Sequence, residues 1–495
     1  MTPSATSAPF DVAALLARAG ARPQRIASDS RRVGPGVAFA AYPGARADGR
    51  AYIAEAVQRG ASAVFWEAAG FRFDPALDVP QAPVEGLQQR LGAIADFIYG
   101  SPSHALWMVG VTGTNGKTSC SQWIAQALER TGRRSAIIGT LGHGFAGALV
   151  PAPNTTPDAA VLHETLAQFS AAGAQAVAME VSSIGLDQGR VNGVAFDVAL
   201  FTNLTRDHLD YHGSMAAYGA AKAKLFAWPG LASAVINVDD AFGADLAAQL
   251  RARSGVRTLG YSLASSDICA TSIALTPRGM ALAVATPWGR GEAEVAVAGA
   301  FNAQNLLGTL GVLLAGDVPL DEALRALASL EPPPGRMQRL GGGVQPLVVV
   351  DYAHTPDALE KVLAALRPAV AHGRRLTCVF GCGGDRDPGK RPEMGRVAAT
   401  LADRVVITSD NPRSEDPTAI AMAIAQGVRA TGNRQWRLET DRAKAIAAAI
   451  REAVGGDVIL VAGKGHETTQ ERNGERTPFS DVAEAAAALA AREAA

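Results

Sequence analysis

The stretch Met108–Ser119 reads MVGVTGTNGKTS, and it decides how the chain around it folds. It starts within the apolar run Leu106–Val111, which predicts a buried strand, and continues into a loop that contains Gly113 and Gly116. A helix is predicted over Gln122–Thr131. A strand, a glycine loop and a helix in this order gather backbone N–H groups and a helix N-terminus around one point, where they bind phosphate.

The two residues after Gly116 fit the same interpretation. Lys117 would reach the outer phosphates of a nucleotide, and the Thr118 hydroxyl would bind Mg²⁺. The loop departs from the pattern G-x-x-x-x-G-K-[ST], because Val111 stands where the first glycine belongs. The alternative is a glycine-rich turn that binds nothing. The strand before the loop and the helix after it favour phosphate binding.

Composition and charge narrow the classes of partner. The chain has 495 residues, of which 48% are hydrophobic and 19% charged, and its formal net charge is −1. A nearly neutral chain offers no field that would recruit nucleic acid or an anionic membrane. The four cysteines show no metal-ligand spacing, which fits a reducing cytosol. No apolar run is long enough to span a membrane, and Met1–Phe10 lacks the pattern of a signal peptide, so we expect a cytoplasmic protein without membrane insertion.

Apolar runs alternate with helical stretches along the chain and predict an α/β fold. The clearest predicted strands are Leu106–Val111, Ala174–Glu180, Asp197–Thr202, Ala232–Asn237, Leu347–Asp351, Leu376–Gly381, Arg404–Thr408 and Asp457–Ala462. This alternation favours doubly wound parallel sheets. A shorter strand, Met280–Ala285, lies in a region of alternating short strands and suggests a small antiparallel addition.

Two turn-rich segments divide the chain into three predicted domains. They are Gly100–Ser103 and Pro332–Pro334, the latter excluding helix because it is three consecutive prolines. We predict a small N-terminal α/β domain over 1–103 and a central phosphate-loop domain over 104–335. The latter combines a doubly wound parallel sheet with the antiparallel addition. A C-terminal Rossmann-like α/β domain is predicted over 336–495.

Polar residues follow two of the central predicted strands at their carboxyl ends, where parallel sheets bind ligands. Glu180 ends one strand, and His208 lies in the loop after another. A carboxylate beside a loop that holds triphosphate is a suitable Mg²⁺ ligand, since this ion prefers oxygen donors. His208 is explained equally well as a hydrogen-bonded loop histidine.

Four further polar segments have simple structural explanations on residue types alone. Helix caps and turns account for Asn154–Pro157 and for Ser182–Arg190. Solvated turns account for Ser28–Arg32 and Gly44–Arg50.

Three polar loops follow predicted strands of the last domain and share one edge of its sheet. They are GCGGDRD (Gly381–Asp387), SDNPR (Ser409–Arg413) and GKGHE (Gly463–Glu467). They bring together Arg386, Asp410, Arg413 and Glu467. Arginine pairs with carboxylates and acidic residues pair with ammonium groups, so this set fits a zwitterionic amino acid. The alternative is a surface ion-pair network.

Several motifs together resemble the Mur ligase family, the ATP-dependent amino-acid ligases of peptidoglycan synthesis. The motifs are TGTNGKT (112–118), NTTP (154–157), MEVSS (179–183), FTNLTRDHLDYHG (201–213), AAKAKLF (220–226), GAFNAQN (299–305), PGRM (334–337) and DYAHTPDAL (351–359). The three C-terminal loops, with the N-terminal DSR and ADGR, are similar to the ligases that add the third residue of the peptide.

The resemblance implies an ATP site in the cleft between two domains. Its residues would be Gly113, Thr114, Asn115, Gly116, Lys117, Thr118, Ser119, Asn305, Arg336, Asp351 and His354. The catalytic residues would be Lys117, Glu180, His208 and Lys222. The resemblance also implies that Thr118, Glu180, His208 and Lys222 bind Mg²⁺. Lys222 would do so as a carbamate (N6-carboxylysine), since a bare ammonium would repel the ion.

The same resemblance implies two further ligands. UDP-N-acetylmuramoyl-L-alanyl-D-glutamate would be held by Ser28, Ser30, Ala45, Arg46, Ala47, Asn154, Thr155, Thr156, Ser182, Gln188 and Arg190. The incoming amino acid would be held by Arg386, Asp410, Asn411, Pro412, Arg413, Gly463 and Glu467. The DNPR sequence over 410–413 resembles enzymes that choose meso-diaminopimelate, and lysine-adding relatives depart from it at the arginine.

The implied reaction has two stages, with an acyl phosphate between them. The glutamyl γ-carboxylate attacks the γ-phosphate of ATP, and the amine of meso-diaminopimelate then displaces phosphate. Three alternatives stay open: a homologue that adds L-lysine, a ligase like folylpolyglutamate synthetase, and an ATP-binding switch without ligase activity. We expect a monomer.

Overall fold

Three sheets, one wholly and two mainly parallel, organise the computed structural model, which describes residues 10–44, 47–253, 255–276, 279–297 and 299–493. The first sheet has four strands, all parallel, in the order β1-β2-β3-β4. Its strands are β1 (Arg25–Ala27), β2 (Val37–Ala41), β3 (Ala63–Glu67) and β4 (Gln81–Val84). The helices around it are α1 (Val12–Ala19), α2 (Ile53–Gln58) and α3 (Leu87–Ile98). Every residue of β2 is buried, as its continuous apolar sequence favours for a strand covered on both faces.

The second sheet has eleven strands in the order β15-β14-β13-β12-β11-β10-β5-β9-β6-β7-β8. They are β5 (Trp107–Thr112), β6 (Ser135–Gly139), β7 (Gly142–Phe145), β8 (Ala148–Val150), β9 (Ala176–Glu180), β10 (Val198–Phe201), β11 (Ser233–Asn237), β12 (Arg257–Ser262), β13 (Ile268–Thr276), β14 (Gly279–Thr286) and β15 (Gly289–Val295). The strands from β13 to β6 pair in parallel, and both ends of the sheet are antiparallel.

Helices cover both faces of this central sheet. They are α4 (Lys117–Arg130), α5 (Ala159–Ala171), α6 (Ser183–Asp187), α7 (Leu209–His212), α8 (Met215–Ala223), α9 (Ala241–Arg251), α10 (Ala300–Ala315) and α11 (Leu320–Ala328). Trp123 of α4 and Leu310 of α10 belong to the apolar cluster on one face. Leu166 of α5 and Leu246 of α9 belong to the cluster on the other face. A strand with apolar cover on both faces can be apolar throughout, which explains the sequence of β5.

The third sheet has six strands in the order β16-β17-β21-β18-β19-β20, and only its edge strand β16 is antiparallel to its neighbour. The strands are β16 (Gln338–Gly341), β17 (Leu347–Asp351), β18 (Leu376–Phe380), β19 (Arg404–Ile407), β20 (Trp436–Leu438) and β21 (Val458–Ala462). A separate hairpin joins β22 (Thr469–Arg472) to β23 (Glu475–Pro478). The helices are α12 (Pro356–Leu366), α13 (Lys390–Leu401), α14 (Pro417–Ala430), α15 (Arg442–Glu452) and α16 (Asp481–Glu493).

The predicted α/β fold with parallel sheets is confirmed, and each of the eight clearest predicted strands coincides with an observed strand to within two residues. The start of α4 was predicted wrongly. The helix begins at Lys117 rather than at Gln122, because its polar first turns are buried and bond to the helix backbone. The Ser121 hydroxyl, for example, donates to the Thr118 carbonyl oxygen at 3.2 Å.

No helix in the part of the chain that the structure describes is both long and apolar enough to cross a membrane.

Candidate functional site

The loop between β5 and α4 approaches its neighbours so closely that two positions require glycine. A Cβ at Gly113 would overlap the Thr202 hydroxyl oxygen, and a Cβ at Gly116 would overlap the Asn305 side-chain oxygen. Gly116 also has a φ of 88°, which side chains rarely adopt. Asn305 belongs to α10, so the sequence-predicted residues of the loop and of this helix lie against each other.

Two lysines converge on one carbonyl oxygen of this loop. The Lys117 ammonium donates to the Gly113 and Thr114 carbonyl oxygens, at 2.9 Å each. The Lys222 ammonium donates to the same Gly113 oxygen at 2.7 Å and lies 4.4 Å from the ring centroid of Tyr218. Burial lowers the pKa of Lys222 well below its usual value, and the charge of Lys117 lowers it further. Burial also lowers the pKa of Lys117. Lys222 therefore releases its proton more readily than an exposed lysine does, and the neutral amine is a nucleophile.

Glu180 ends β9 directly beside the phosphate loop, since it pairs with Val111 across the sheet. Its buried carboxylate accepts hydrogen bonds from the Thr140 backbone N–H at 2.9 Å and from the Thr140 hydroxyl at 3.0 Å. The same hydroxyl lies 3.0 Å from that of Thr155. Among the described residues no lysine or arginine forms a direct ion pair with Glu180. A buried carboxylate without a bonded cation suits a metal ion.

We call the parts of the chain built around the first, second and third sheets the first, second and third lobes, the third being C-terminal. His208 of the second lobe lies close to the third lobe, and Asp207 links the two. Its Nε2 lies 3.4 Å from an Asp207 carboxylate oxygen, and Nε2 of His354 lies 3.7 Å from the same oxygen. Burial lowers the pKa of His208 to about 4, although Asp207 opposes this shift. The ring is therefore neutral at neutral pH and keeps a lone pair for a ligand.

The cleft between the phosphate loop and the third sheet contains Asn305, Arg336 and Asp351 of the other predicted nucleotide residues, whereas His354 lines a different cavity. Arg336 donates to the Thr118 hydroxyl at 3.1 Å, and its guanidinium lies 4.6 Å from the ring centroid of Tyr352. The Asp351 carboxylate accepts from the backbone N–H groups of Met337 and Ala353, at 2.8 Å each. The cavity at this point has a volume of about 60 Å³. Ligand pockets usually measure roughly 300–1,000 Å³, so this cavity is smaller than a typical ligand pocket.

A second cavity, of about 890 Å³, opens where all three lobes meet. Its lining includes Ala47 from the first lobe and Asn154, Gln188 and Arg190 from the second. Arg386 and Arg413 from the third lobe also line it. The Arg190 guanidinium is held by the Gln188 side chain, at 2.7 Å, and by the Thr156 carbonyl oxygen, at 2.9 Å. The volume is that of a pocket for a large ligand.

The predicted residues of the first lobe divide into three groups. Ala47 lines the large cavity, whereas Ala45 and Arg46 lie outside the described residues. Ser28 hydrogen-bonds the Tyr42 hydroxyl, and Tyr42 lines the cavity. The Ser30 hydroxyl instead donates to Glu55 at 3.4 Å.

Among the remaining predicted residues, Thr156 and Ser182 lie beneath the cavity. Their hydroxyl oxygens are 3.0 Å apart, and the Ser182 hydroxyl accepts from the Gly185 N–H at the start of α6. Ser182 therefore caps this helix as residue types alone suggest.

A third cavity, of about 140 Å³, gathers the amino-acid residues predicted from the C-terminal loops. Its lining includes Arg386, Asp410, Asn411, Arg413, Gly463 and Glu467, together with Asp207, His208, His354 and Lys390. Pro412 is not among the lining residues. Since His208 and His354 line the same cavity, the predicted amino-acid residues share one space with residues predicted for the metal and nucleotide sites. We call this third cavity the junction cavity.

Bonds within the loops fix the polar groups of the junction cavity. Arg413 has a φ of 51° and donates to the Gly384 carbonyl oxygen at 2.6 Å. The Asn411 amide donates to Glu467 at 2.8 Å. The buried Lys464 ammonium donates to the Asn411 side-chain oxygen at 3.0 Å and to Glu467 at 2.7 Å. Lys464 thus holds two neighbouring loops together.

A buried ion pair supports the same loops from below. Arg442 at the start of α15 donates twice to the Asp481 carboxylate, at 2.7 and 2.8 Å. It also donates to the Ser409 carbonyl oxygen at 3.1 Å and the Ala462 carbonyl oxygen at 2.8 Å. These two carbonyls stand where SDNPR begins and just before GKGHE, so one guanidinium sets the spacing of both loops.

Sequence reasoning missed several of these residues. Asp207 and Lys464 lie inside quoted motifs, but Asp207 meets His354 of another lobe, and Lys464 bonds Asn411 of another loop as well as Glu467 of its own motif. Lys390 lies three residues beyond GCGGDRD. Arg442 and Asp481 carry no sequence signal, because each resembles an ordinary charged residue at a helix start.

Within the described ranges no three His, Cys, Asp or Glu side chains form a ready metal cluster. A metal ion at this site would therefore need oxygen atoms from a bound nucleotide or from a modified side chain.

Fold and site together define an α/β protein with a glycine loop of the phosphate-binding type on its central sheet and a cavity lined by charged residues on its last sheet. Sequence-family models cover the same three regions. The Mur ligase family catalytic domain matches 24–99, the Mur ligase middle domain matches 111–313, and the Mur ligase glutamate ligase domain matches 335–465.

Individual relatives extend these matches over almost the whole chain. A protein of Ectopseudomonas mendocina named UDP-N-acetylmuramoyl-L-alanyl-D-glutamate–2,6-diaminopimelate ligase is 55% identical over 481 residues, 97% of each chain. A Pseudomonas aeruginosa protein of the same name is 53% identical over 95% of this chain and 96% of its own. The chain belongs to the Mur ligase family, and it is a ligase.

Solved structures agree with this assignment. One of a UDP-N-acetylmuramoyl-L-alanyl-D-glutamate–2,6-diaminopimelate ligase is 36% identical, with a TM-score of 0.67 over 95% of both chains. MurF from Acinetobacter baumannii has a TM-score of 0.68 at 20% identity, over 92% of this chain and 96% of its own, and shows the fold alone.

Proposed function

We propose that the protein joins meso-diaminopimelate to the D-glutamyl γ-carboxylate of UDP-N-acetylmuramoyl-L-alanyl-D-glutamate, with ATP as co-substrate, in the cytoplasm. The names of relatives that share half of its residues support this substrate. The observation that carries the proposal is the junction cavity, in which Arg413 and Glu467 share one space with His208. An amine held there would face a carboxylate activated at the phosphate loop.

The proposed domains, 1–103, 104–335 and 336–495, would together form the binding sites of three ligands. The cavity where the three lobes meet has the size and donors for the nucleotide-peptide, with Arg190 and Asn154 in its lining. The cleft beside Arg336 would take ATP, and the junction cavity would take the amino acid. We propose that the protein acts as a monomer and without nucleic acid.

The reaction would start at the phosphate loop. The glutamyl carboxylate attacks the γ-phosphorus of ATP, the bond to the β-phosphate oxygen breaks, and an acyl phosphate and ADP form. Lys117 and Arg336 stabilise the charge that develops on the phosphoryl oxygens. The neutral amine then attacks the acyl carbon, phosphate leaves with the electron pair of the broken C–O bond, and the nitrogen gives up one proton to the departing phosphate. The closed lobes hold the amine near the acyl carbon and exclude water.

The donor set fits Mg²⁺ shared with phosphate oxygens. The Thr118 hydroxyl and the buried Glu180 carboxylate are hard oxygen donors, and His208 offers a neutral nitrogen. The bound ion would neutralise charge on the phosphates.

Lys222 would join this set as a carbamate. Its amine is buried, and burial favours the neutral form that adds CO₂. The product carries a negative charge and two oxygens where an ammonium would oppose a cation.

The choice of meso-diaminopimelate over L-lysine would depend on the side-chain end of the amino acid. The former carries a carboxylate there, which Arg413 can pair, and L-lysine has none. Asp410 and Glu467 suit the ammonium group.

Folylpolyglutamate synthase structures share the fold at a TM-score of 0.62 and 20% identity, but they cover 75% of this chain. The large cavity at the first lobe therefore favours the nucleotide-peptide over folate.

A product assay tests the proposal directly. Purified protein is incubated with the nucleotide-dipeptide, ATP, Mg²⁺ and either meso-diaminopimelate or L-lysine. The products are identified by mass spectrometry. We expect the tripeptide product with meso-diaminopimelate and strict dependence of ADP formation on both substrates. ADP formation that responds to neither substrate would instead indicate an ATP-binding switch.

Arg413→Ala tests the specificity step. We expect it to lose most use of meso-diaminopimelate, by about 10²-fold in kcat/KM, because a bidentate charge pair is lost. Nucleotide binding should stay. Arg451→Ala, an exposed arginine of α15, is the control. Unchanged catalytic efficiency of Arg413→Ala with meso-diaminopimelate would refute this role.

A further inference from the structure

Lys390 presents an unusual charge in the junction cavity. It is the first residue of α13, its side chain lines the cavity, and the residue is only 5% exposed. Its ammonium makes no hydrogen bond or direct ion pair with any residue that the structure describes. The other buried lysine of this lobe, Lys464, bonds Asn411 and Glu467. An ammonium that lines a cavity without a hydrogen-bonded partner favours an anion there, so an anion is the expected ligand.

The carboxylates nearest to Lys390 are already engaged. Asp207 accepts from the His208 backbone N–H at 3.0 Å and contacts His354. Asp387 accepts from the Arg206 guanidinium at 3.0 Å and from the Gly389 N–H at 2.9 Å. Both acids influence Lys390 only from beyond hydrogen-bond distance. The Lys390 ammonium is therefore available to a ligand in the cavity.

The position of Lys390 defines what kind of anion can reach it. The cavity runs from His208 and His354, on the side of the phosphate loop, to Arg386 and Arg413, on the side of the amino acid. Both the phosphoryl group of an acyl phosphate and the α-carboxylate of the incoming amino acid would lie along this path. These two groups share one chemistry, a compact oxyanion.

We propose that Lys390 binds a reacting oxyanion in the junction cavity and so acts directly in the second stage of ligation. This rests on the proposed function. During amine attack the N–C bond forms and the C–O bond to phosphate breaks. Negative charge then moves onto the departing phosphate, while the amino acid keeps its own carboxylate charge. An ammonium at Lys390 offsets whichever of these charges it contacts.

Substitution at Lys390 tests the proposal. Lys390→Met keeps the length of the side chain without its charge, and Lys390→Arg keeps the charge. We expect Lys390→Met to lower kcat/KM for the amino acid by about 10²-fold, as loss of one oxyanion donor does, with less than about a threefold change in the KM for ATP. Lys390→Arg should recover part of the loss. Lys444→Met, an exposed lysine paired with Asp441 on α15, should behave as wild type.

Hydroxylamine distinguishes the two anions, because it traps an acyl phosphate as a hydroxamate without the amino acid. If Lys390 holds the phosphoryl group, hydroxamate formation falls together with ligation. If it holds the α-carboxylate, hydroxamate formation stays near the wild-type rate and the KM for the amino acid rises. Either result supports the proposal.

Wild-type ligation by Lys390→Met would overturn the proposal and would show that the charge of Lys390 has no part in the reaction. If Lys390→Met does not fold, as judged by thermal unfolding, Lys390→Gln takes its place and the same comparison decides. Failure of the proposed function itself is recognised separately, since the wild-type protein would then make no product with any amino acid.

Discussion

His466 illustrates how a single side chain can carry a pH dependence. Its ring stacks on Tyr352 with centroids 5.1 Å apart, and its Nδ1 is buried without a hydrogen-bond partner among the described residues. Burial, together with the charges of Arg336 and Lys464, lowers the pKa of His466 to about 4. The folded protein therefore resists protonation of this ring.

This side chain should reduce stability in acid. The unfolded chain, with a histidine pKa near 6.5, binds the proton first, so the free energy of unfolding falls as the pH drops from about 6.5 to about 4. The contribution is up to about 1.4 kcal/mol per pH unit, is absent above this window, and does not grow below it. Urea unfolding over a pH series should show a shallower slope for His466→Gln than for wild type.

His372→Gln, an exposed histidine of the same lobe, is the control for this measurement. Equal slopes for His466→Gln and wild type would contradict the expectation. Some slope should remain in the variant, because burial also lowers the pKa of His208 to about 4.

Among the elements, α15 contributes to the site without touching a ligand. Its Arg442 joins the ends of β19 and β21 through the Ser409 and Ala462 carbonyl oxygens. Asp481 at the start of α16 neutralises it, and both side chains are fully buried. Loss of one member of such a pair leaves an uncompensated charge in the core.

We expect Arg442→Met to lower the free energy of unfolding by about 3–5 kcal/mol. The KM for the amino acid should rise as well, because the two loops lose their common donor. The paired replacement Arg442→Met with Asp481→Leu should recover much of the stability but not the KM. Urea unfolding and steady-state kinetics measure the two effects. Lys444→Met, on the same helix, should change stability by less than about 1 kcal/mol. A similarly small loss for Arg442→Met would show that the ion pair does not support the fold.

The elements also show what the sequence could predict. Strands such as β17 were found because four consecutive apolar residues, in this case Leu347–Val350, lie between polar segments and have few other structures. The carboxyl ends of parallel strands meet at one edge, so Arg386, Asp410, Arg413 and Glu467 could be placed together, and the structure brings them into one cavity.

Other features depend on distances that no local pattern contains. The contact between Asp207 and His354 could not be predicted, because it depends on how two lobes close. The polar first turns of α4 concealed its start, because their burial comes from tertiary packing. Ser30 was predicted as a nucleotide ligand, yet its hydroxyl is directed to Glu55.

In the whole molecule, charged and polar contacts hold the second and third lobes together. Arg206 donates to Asp387 at 3.0 Å and to Glu393 at 2.8 Å. On the nucleotide side of the cleft, Asn115 donates to Asp357 at 2.9 Å. Asp387 stands next to Arg386 in the chain, so closure and the shape of the junction cavity are linked.

Arg206→Ala should therefore weaken closure. The ion pairs are partly exposed, so we expect a loss of only about 1 kcal/mol, seen as a severalfold rise in the KM for the amino acid. Small-angle scattering with a non-hydrolysable ATP analogue should give a larger radius of gyration than for wild type. Wild-type closure should also weaken with added salt.

Arg251→Ala, which removes an exposed ion pair with Asp267 inside the second lobe, is the matched control. An unchanged radius of gyration in Arg206→Ala would show that the nucleotide-side contacts suffice for closure.

The carbonyl oxygen of Gly113 has a consequence for nucleotide affinity. It accepts from Lys117, which also bonds the Thr114 carbonyl oxygen, so in the absence of ATP the loop backbone already satisfies the cation that a phosphate would use. Binding then exchanges one set of hydrogen bonds for another, and the measured affinity is the difference between them. We therefore expect this exchange to assist ADP release, since the backbone can take back the Lys117 ammonium when the anion departs.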